Sequence, residues 1–311
     1  MATSIFGLRT RRRIRRVGIE LSNTGALLVV VDIQRKEVEH AVPLQPSEPA
    51  EGFHGDQLGQ HLAQQTKRLK LKGMACTVVL APEDCELLLL EAPQVPTNEI
   101  KQALRWRLKG LSDIAPEEAE VDYVSAGHMS ANDTPMLFVG VTRKSVVARL
   151  VRFARGAKLA LDSVLIPEFA VRNLLVACGE RETCVGVLMI RGAHASIAFF
   201  RAADLCMSRK FATGYSARVG EPFPVGTIAA EVRRSFDYFE RQLKQPTPER
   251  LFVGGDDDSV AQVALPLSGQ FPLPLTLLDP ARYFTSSPAL NASGVVLPSL
   301  ALGAALEGTL D

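Results

Sequence analysis

The sequence predicts an α/β protein of two related lobes facing a cleft, the first lobe carrying an inserted βαββα subdomain. Three observations predict it. A β-hairpin with a third strand opens the chain, and the same pattern returns after Cys184. Between the two cycles lies a separate β-α-β-β-α stretch. A long amphipathic segment, a short apolar strand and Gly254-Gly255 then close the second cycle.

Val17–Leu21 and Ala26–Ile33 are apolar and β-branched, and Ser22, Asn23, Thr24 and Gly25 between them supply a tight turn. Glu37–Val42 is a third strand. A Pro- and Gly-bearing loop leads to a helix from Asp56 to about Leu71, with Leu58, Leu62 and Leu69 on related faces. Cys76–Ala81 reads as a buried strand. Three strands, a helix and a strand are the opening of a ribonuclease H-like, or actin-like, lobe.

The inserted segment reads as strand Glu86–Ala92, a helix capped by Thr97, strands Val121–Ser125 and Met136–Thr142, and a helix Lys144–Ala157. Leu161–Ile166 and a helix from Pro167 return the chain to the first lobe. In the second cycle Val185–Ile190, Ser196–Arg201 and Leu205–Phe211 echo the opening. A helix over Ile228–Leu243 follows, with Ile228, Val232, Phe236 and Phe239 on one face. Strand Leu251–Val253 and a small-residue helix near Ser299–Glu307 end the pattern. The expected division is a basic tail at 1–16, a first lobe at 17–82 and 158–180, an insert at 83–157, and a second lobe at 181–311 that includes a helical segment at 221–246.

Composition narrows the function classes. Of 311 residues, 47% are hydrophobic and 22% charged, as in ordinary globular proteins, and the net charge of +1 offers no general attraction to nucleic acid. Cys76, Cys85, Cys178, Cys184 and Cys206 form an odd set without CxxC spacing, which argues for reduced thiols rather than a disulfide framework or zinc site. No apolar run approaches the roughly 20 residues of a membrane-spanning helix, and no leader of secretory type is evident, so a cytoplasmic location is expected. The histidines lack HxxxH spacing, and neither a GxSxG elbow nor a GxxxxGK[ST] loop occurs. No catalytic residue and no metal ligand set is named. Arg11, Arg12, Arg13, Arg15 and Arg16 crowd the N-terminus; they read either as an anionic-lipid contact or as a solvated leader.

Several segments carry a family resemblance. VGIELSNTGALLVVVD resembles the first phosphate hairpin of the PilM/MshI family, actin-like proteins on the cytoplasmic side of type IV pilus assembly complexes. APQVPTNEIKQALRWRLKGLSDIAPEEAEVDY resembles the inserted subdomain of that family, its Arg105-Trp106 pair and Lys-Gly-Leu run being closest to the MshI branch of MSHA-type pili. EVRRSFDYFERQ, RLFVGGDDDSV and PSLALGAALEG resemble the later helix, the adenosine-side glycine turn and the closing helix. The resemblance implies a scaffold that docks the cytoplasmic N-terminal tail of a PilN-like or MshJ-like bitopic inner-membrane protein, with self-association and peripheral membrane contact as further expectations. The rival expectations are a working ATPase or sugar kinase of this superfold and an FtsA-like filament former.

The same resemblance implies ATP with Mg²⁺ as the cofactor, yet both phosphate hairpins depart from the pattern. Glu20 stands where the family has Asp, and Ser22, Asn23 and Thr24 occupy the loop. In the second hairpin Met189 takes the place of the Asp, and Arg191 that of the Gly. Arg191 reads either as a phosphate contact or as an exposed turn residue. Gly254 and Gly255 are expected beside adenosine, followed by Asp256, Asp257 and Asp258, an acidic loop rather than a metal site. Glu231 with Arg234 reads as a nucleoside contact or as a surface pair. A pseudo-ATPase is the expectation. For the partner tail the expected residues are Glu86, Leu88 and Leu90 on the first inserted strand and Ile100, Leu104, Trp106 and Leu108 on the helix, with Trp106 read as core or as docking surface.

Overall fold

The structure is a computed structural model that describes residues 15–22, 25–45, 55–126, 135–180, 183–191, 193–215, 223–255, 257–288, 290 and 299–309. The first sheet is built on β1 (Arg15–Ser22), β2 (Gly25–Asp32), β3 (Glu37–Leu44), β4 (Ala75–Val79) and β8 (Ala160–Leu165) in the order β3-β2-β1-β4-β8. β1 to β3 run antiparallel, whereas β4 lies parallel to β1 and β8 parallel to β4. The second sheet repeats this with β9 (Cys184–Arg191), β10 (His194–Arg201), β11 (Asp204–Ala212), β12 (Arg250–Gly255) and β13 (Leu275–Leu277), in the order β11-β10-β9-β12-β13. Here too the first three strands are antiparallel and the next two parallel. Two copies of one topology stand in a single chain. β14 (Thr285–Ser286) then pairs with β3, so the chain of the second lobe adds a sixth strand to the first sheet.

Central strands β4 and β9 are buried with almost no alternation because both of their faces are covered. The helix α1 (Gly55–Arg68) covers one face of the first sheet together with α3 (Lys144–Gly156). Val146, Leu150, Phe153 and Ala154 of α3 join the first-lobe core of Val17, Leu28 and Leu62. α3 therefore ends the inserted sequence but packs in the first lobe, a difference from the expected boundary at 157. Its apolar face is read the same way by either neighbour, and only the return path of the chain decides which one it meets.

The insert proper is a three-stranded antiparallel sheet, β5 (Cys85–Glu91), β7 (Met136–Arg143) and β6 (Ala119–Ser125) in that order, with α2 (Ile100–Arg107) on one face. Leu104 and Leu108 of α2 meet Val121, Val139 and Val141 in a core of their own. Thr97 opens a short 3₁₀ turn and caps nothing with its side chain, contrary to the sequence expectation; Glu99 is the residue before α2.

Two helices exchange lobes. α4 (Pro167–Ala177) leaves β8 and contributes Ala170, Val171, Leu174 and Leu175 to the core that contains Val187, Ile197 and Phe199 of the second sheet. α7 (Ser299–Ala305), expected in the second lobe, instead packs on β1, β2 and β4 and against α4. Glycines permit the approach: a Cβ on Gly18 would lie 1.8 Å from the Ala301 carbonyl oxygen, and one on Gly303 would lie 2.0 Å from that of Ala170.

α5 (Val225–Asp237) is succeeded by a π-helical turn, Tyr238–Gln242, where a single α-helix was expected. The wider turn sets Phe239 on Phe199, centroids 4.4 Å apart and stacked, while Phe236 meets the edge of the same ring at 5.1 Å. α6 (Asp257–Leu267) completes the second lobe. Among the described residues no helix is long and apolar enough to cross a membrane.

Candidate functional site

Between the lobes lies a cleft of about 840 Å³ bordered by the two hairpins β1–β2 and β9–β10, by the start of α4, and by Lys210 of β11. Of the expected nucleotide residues it brings together Glu20, Ser22 and Arg191. Glu231, Gly254 and Gly255 do not line it, while Asn23 and Thr24 lie outside the described residues.

The central feature is an ion pair across the cleft. Arg191 Nη2 donates to Glu20 Oε1, both side chains being less than one-fifth exposed. Arg191 is therefore neither a free turn residue nor an open phosphate contact. Its guanidinium lies between the two hairpins and engages the Glu20 carboxylate. Beside it, Ser22 Oγ donates to the Gly25 carbonyl at 3.2 Å, within its own turn. Met189 is 7% exposed, and its Sδ would lie 3.0 Å from a Cβ on Gly254. The register Gly254↔Met189 and Gly255↔Ile190 explains the paired glycines. A Cβ at Gly255, whose φ is +136°, would fall 1.8 Å from the Ile190 carbonyl oxygen. Close strand contact accounts for both without a ligand.

Glu231 also has a structural account. Its carboxylate receives Arg234 Nη1 at 2.6 Å and Arg209 Nη2 at 2.6 Å, a three-residue ion cluster joining α5 to β11. The side chains of Asp257 and Asp258 lie outside the described residues, as does Asp256.

Sequence reasoning missed two cleft residues. Glu168, in the first turn of α4, is 4% exposed; Oε1 accepts from Ser208 Oγ at 2.8 Å, and Oε2 has no protein partner. Lys210 Nζ donates to the carbonyls of Pro82 and Cys85 at 2.9 and 3.0 Å, tying β11 of the second lobe to the root of the insert. The available signal for Glu168 was an acid directly after Pro at a helix start, which is so common as a dipole partner that it marks no site.

A second concavity, about 670 Å³, runs between β6 and β8. Each of these is the last strand of its sheet. Tyr123, Phe138, Ile166 and Phe169 provide an apolar floor, and Glu120, Asp122, Asp162, Asp204 and Glu307 outnumber Lys101 and Arg172 at its sides. None of the expected partner residues lines it. Leu104 and Leu108 are fully buried in the core of the insert and present nothing to a partner. Leu88, Leu90 and Ile100 pack partly against the same core, and Glu86 is half-buried on β5. Trp106 does the opposite of a core residue: it is 59% exposed.

The described members of the basic tail are also committed elsewhere. Arg15 and Arg16 begin β1, where Arg15 pairs with Glu39 and Arg16 with Asp162, the latter at 2.6 Å. These ion pairs remove the two from a free lipid-binding array, while Arg11, Arg12 and Arg13 lie outside the described residues.

With this geometry in hand, comparison with solved structures is informative. A chain of the PilM–PilN type IV pilus biogenesis complex superposes with a TM-score of 0.71 at 19% identity, covering 94% of this chain and 98% of that one. The fold is that of the actin-like proteins. The cytoplasmic domain of EpsL, an inner-membrane component of the type II secretion system of Vibrio cholerae, follows with a TM-score of 0.53 at 13% identity, over 96% and 100% of the two chains. At these identities the likeness is one of fold. No family model matches the chain. No curated protein matches it in sequence.

The actin-like fold raises the question of Mg²⁺ and ATP. Glu20 is engaged by Arg191, Met189 brings no oxygen, and the described residues contain no group of three or more acidic, His or Cys side chains arranged for a metal ion. Among the described residues of the two hairpins, the one carboxylate at the cleft is Glu20, already engaged by Arg191; the unpartnered carboxylate oxygen there belongs to Glu168 at the start of α4.

Proposed function

We propose that this chain is a cytoplasmic scaffold of an MSHA-like type IV pilus assembly complex, peripheral to the inner membrane, and that it holds the cytoplasmic tail of a PilN-like or MshJ-like bitopic protein without hydrolysing ATP. The observation that carries the role is the near full-length superposition on a chain of the PilM–PilN complex. The groove between β6 and β8 supports tail docking. Two strand edges flank it, its floor is apolar, and its sides are mainly acidic. An extended segment fits such a place by adding main-chain hydrogen bonds at a sheet edge. Segments next to the cytoplasmic end of a membrane helix carry an excess of Lys and Arg, which complements the carboxylates. The Arg191–Glu20 pair supports the absence of hydrolysis, because a fixed cation already neutralises the carboxylate that a metal would need.

Calorimetric titration with a peptide of the candidate tail, with and without ATP and Mg²⁺, tests both halves. Binding independent of nucleotide, and lost on charge reversal of Asp122 and Asp204, is expected. Absence of tail binding under every nucleotide condition removes the scaffold reading.

A second reading has one observation in its favour. Glu168 and Lys210 line the interlobe cleft, and Glu168 Oε2 is buried without a protein partner, as a ligand-facing carboxylate would be. A steady-state phosphate-release assay separates an active ATPase from the scaffold.

A further inference from the structure

The outer face of α2 combines features that neither the groove nor the cleft uses. Leu104 and Leu108 point into the core of the insert, both 0% exposed. Trp106 lies two residues from each, about 200° round the helix, and so faces solvent. Leu111, just beyond the helix, is 55% exposed. Single exposed apolar residues are ordinary. Here two large ones stand five positions apart within a strongly basic run.

From Ile100 to Ser112 the chain carries Lys101, Arg105, Arg107 and Lys109, and Glu99 and Asp113 bound this basic stretch. Arg105 and Arg107 spend their hydrogen bonds on the carbonyls of Ala119 and Glu91, at 3.1 and 2.8 Å, which fixes their positions without cancelling their charge. Lys101 is paired with Asp122, and Lys109 is exposed. An exposed indole and an exposed leucine in a stretch that also exposes Arg107 and Lys109 match a bilayer interface: the indole suits the headgroup level, leucine the acyl boundary, and the cations the anionic headgroups.

The geometry points to a membrane-contact face formed by Trp106, Leu111, Arg107 and Lys109, which lies against an anionic phospholipid surface. Lys101 in the first turn of α2 lines the tail groove, roughly 8 Å along the helix axis from Trp106. Docking this face on the bilayer keeps the groove next to the surface from which a tail emerges. The inference extends the proposed scaffold role, but its test involves lipid alone, so failure here and failure of tail docking are separable.

Trp106 is the only tryptophan, so emission of the intact chain reports this face directly. The protein is mixed with vesicles of equal parts phosphatidylglycerol and phosphatidylcholine, and separately with pure phosphatidylcholine vesicles. A blue shift and co-sedimentation with the anionic vesicles only, reversed by salt, are expected. Trp106→Ala, read by sedimentation, and Lys109→Glu are each expected to weaken binding about five- to tenfold while retaining the wild-type melting curve. Lack of a shift with anionic vesicles at low salt overturns the assignment. So does undiminished sedimentation of both variants, which would place lipid binding on another segment such as residues 1–14. A blue shift that grows with protein concentration in the absence of lipid would instead assign the face to a second copy of the chain, and also overturns it.

Discussion

At the scale of single residues, Arg191 and Glu20 decide the chemistry of the cleft. The pair is mostly buried, so each charge depends on the other for solvation that water no longer supplies. Arg191→Ala leaves the Glu20 carboxylate unpaired and is expected to cost about 1–3 kcal/mol in urea unfolding. Glu20→Ala should lose a similar amount, and the double variant markedly less than the sum, giving a coupling energy of about 1 kcal/mol or more. Additive losses would show that the two side chains act independently. This pair was half legible. The departures at Glu20, Met189 and Arg191 could be read against the family pattern, but their meeting could not, because the positions are 171 residues apart and only the closure of two lobes joins them. The same limit applies to Glu168, and to Trp106, whose exposure depends on which face of a short helix finds the sheet.

The thiols give a residue-scale expectation with a definite sign. Burial pushes Cys76 and Cys85 up from the ordinary thiol range to about 12. Their unfolded counterparts titrate near 9, so the unfolded chain loses these protons first. The contribution is fully present below pH 9 and is lost as pH rises from there towards 12, by up to about 1.4 kcal/mol per thiol per pH unit. Unfolding free energies should therefore fall steadily above pH 9, and replacing either cysteine with alanine should flatten that fall. An alkaline limb of equal slope in the variants would refute it.

At the scale of elements, the exchange of α4 and α7 is the least legible part of the fold and the most constraining. Strand and helix positions followed from apolar periodicity and turn residues, and the repeated topology followed from the echo of one hairpin in another. Which sheet a small-residue helix covers is not contained in its own pattern. The information sits in Gly18 and Gly303, at opposite ends of the sequence, which let backbone approach backbone. Gly303→Ala places a methyl group 2.0 Å from the Ala170 carbonyl oxygen, so helix must part from helix. The expected loss is about 2–3 kcal/mol, seen as a lower urea midpoint with an unchanged slope. Gly308→Ala is the useful contrast. Nothing lies within 4 Å of its Cβ position, and its φ of +66° makes the cost one of local backbone alone, about 1 kcal/mol. Equal losses at the two positions would show that the helix contact is loose.

At the scale of the whole molecule, the lobes are joined by two different kinds of link. The exchanged helices belong to one continuous core, so the lobes are expected to unfold together. Arg191 and Lys210 add polar ties at the cleft, and Lys210 hydrogen-bonds the second sheet to the root of the insert, beside the apolar packing of Leu87, Leu89 and Phe138 on the shared core. Lys210→Met keeps an unbranched stem as far as the ε position and deletes the ammonium group with its three donors. A charged hydrogen bond contributes about 1.5–3 kcal/mol, so amides around 82–85 should exchange about ten times faster or more, while those of β9 and α7 stay protected. Such a result separates a hinged opening of the insert from global loosening, because only the former leaves the central core closed. Unchanged exchange at 82–85 would mean that the insert is held by its own packing through Leu87 and Leu89 against the lobe cores, with the lysine merely seated on the surface. Since the groove proposed for the tail lies between the insert and β8, the same variant should change tail affinity only if the insert moves. Tail affinity and amide exchange should therefore shift together in Lys210→Met, and a change in one without the other would break the link between movement of the insert and docking.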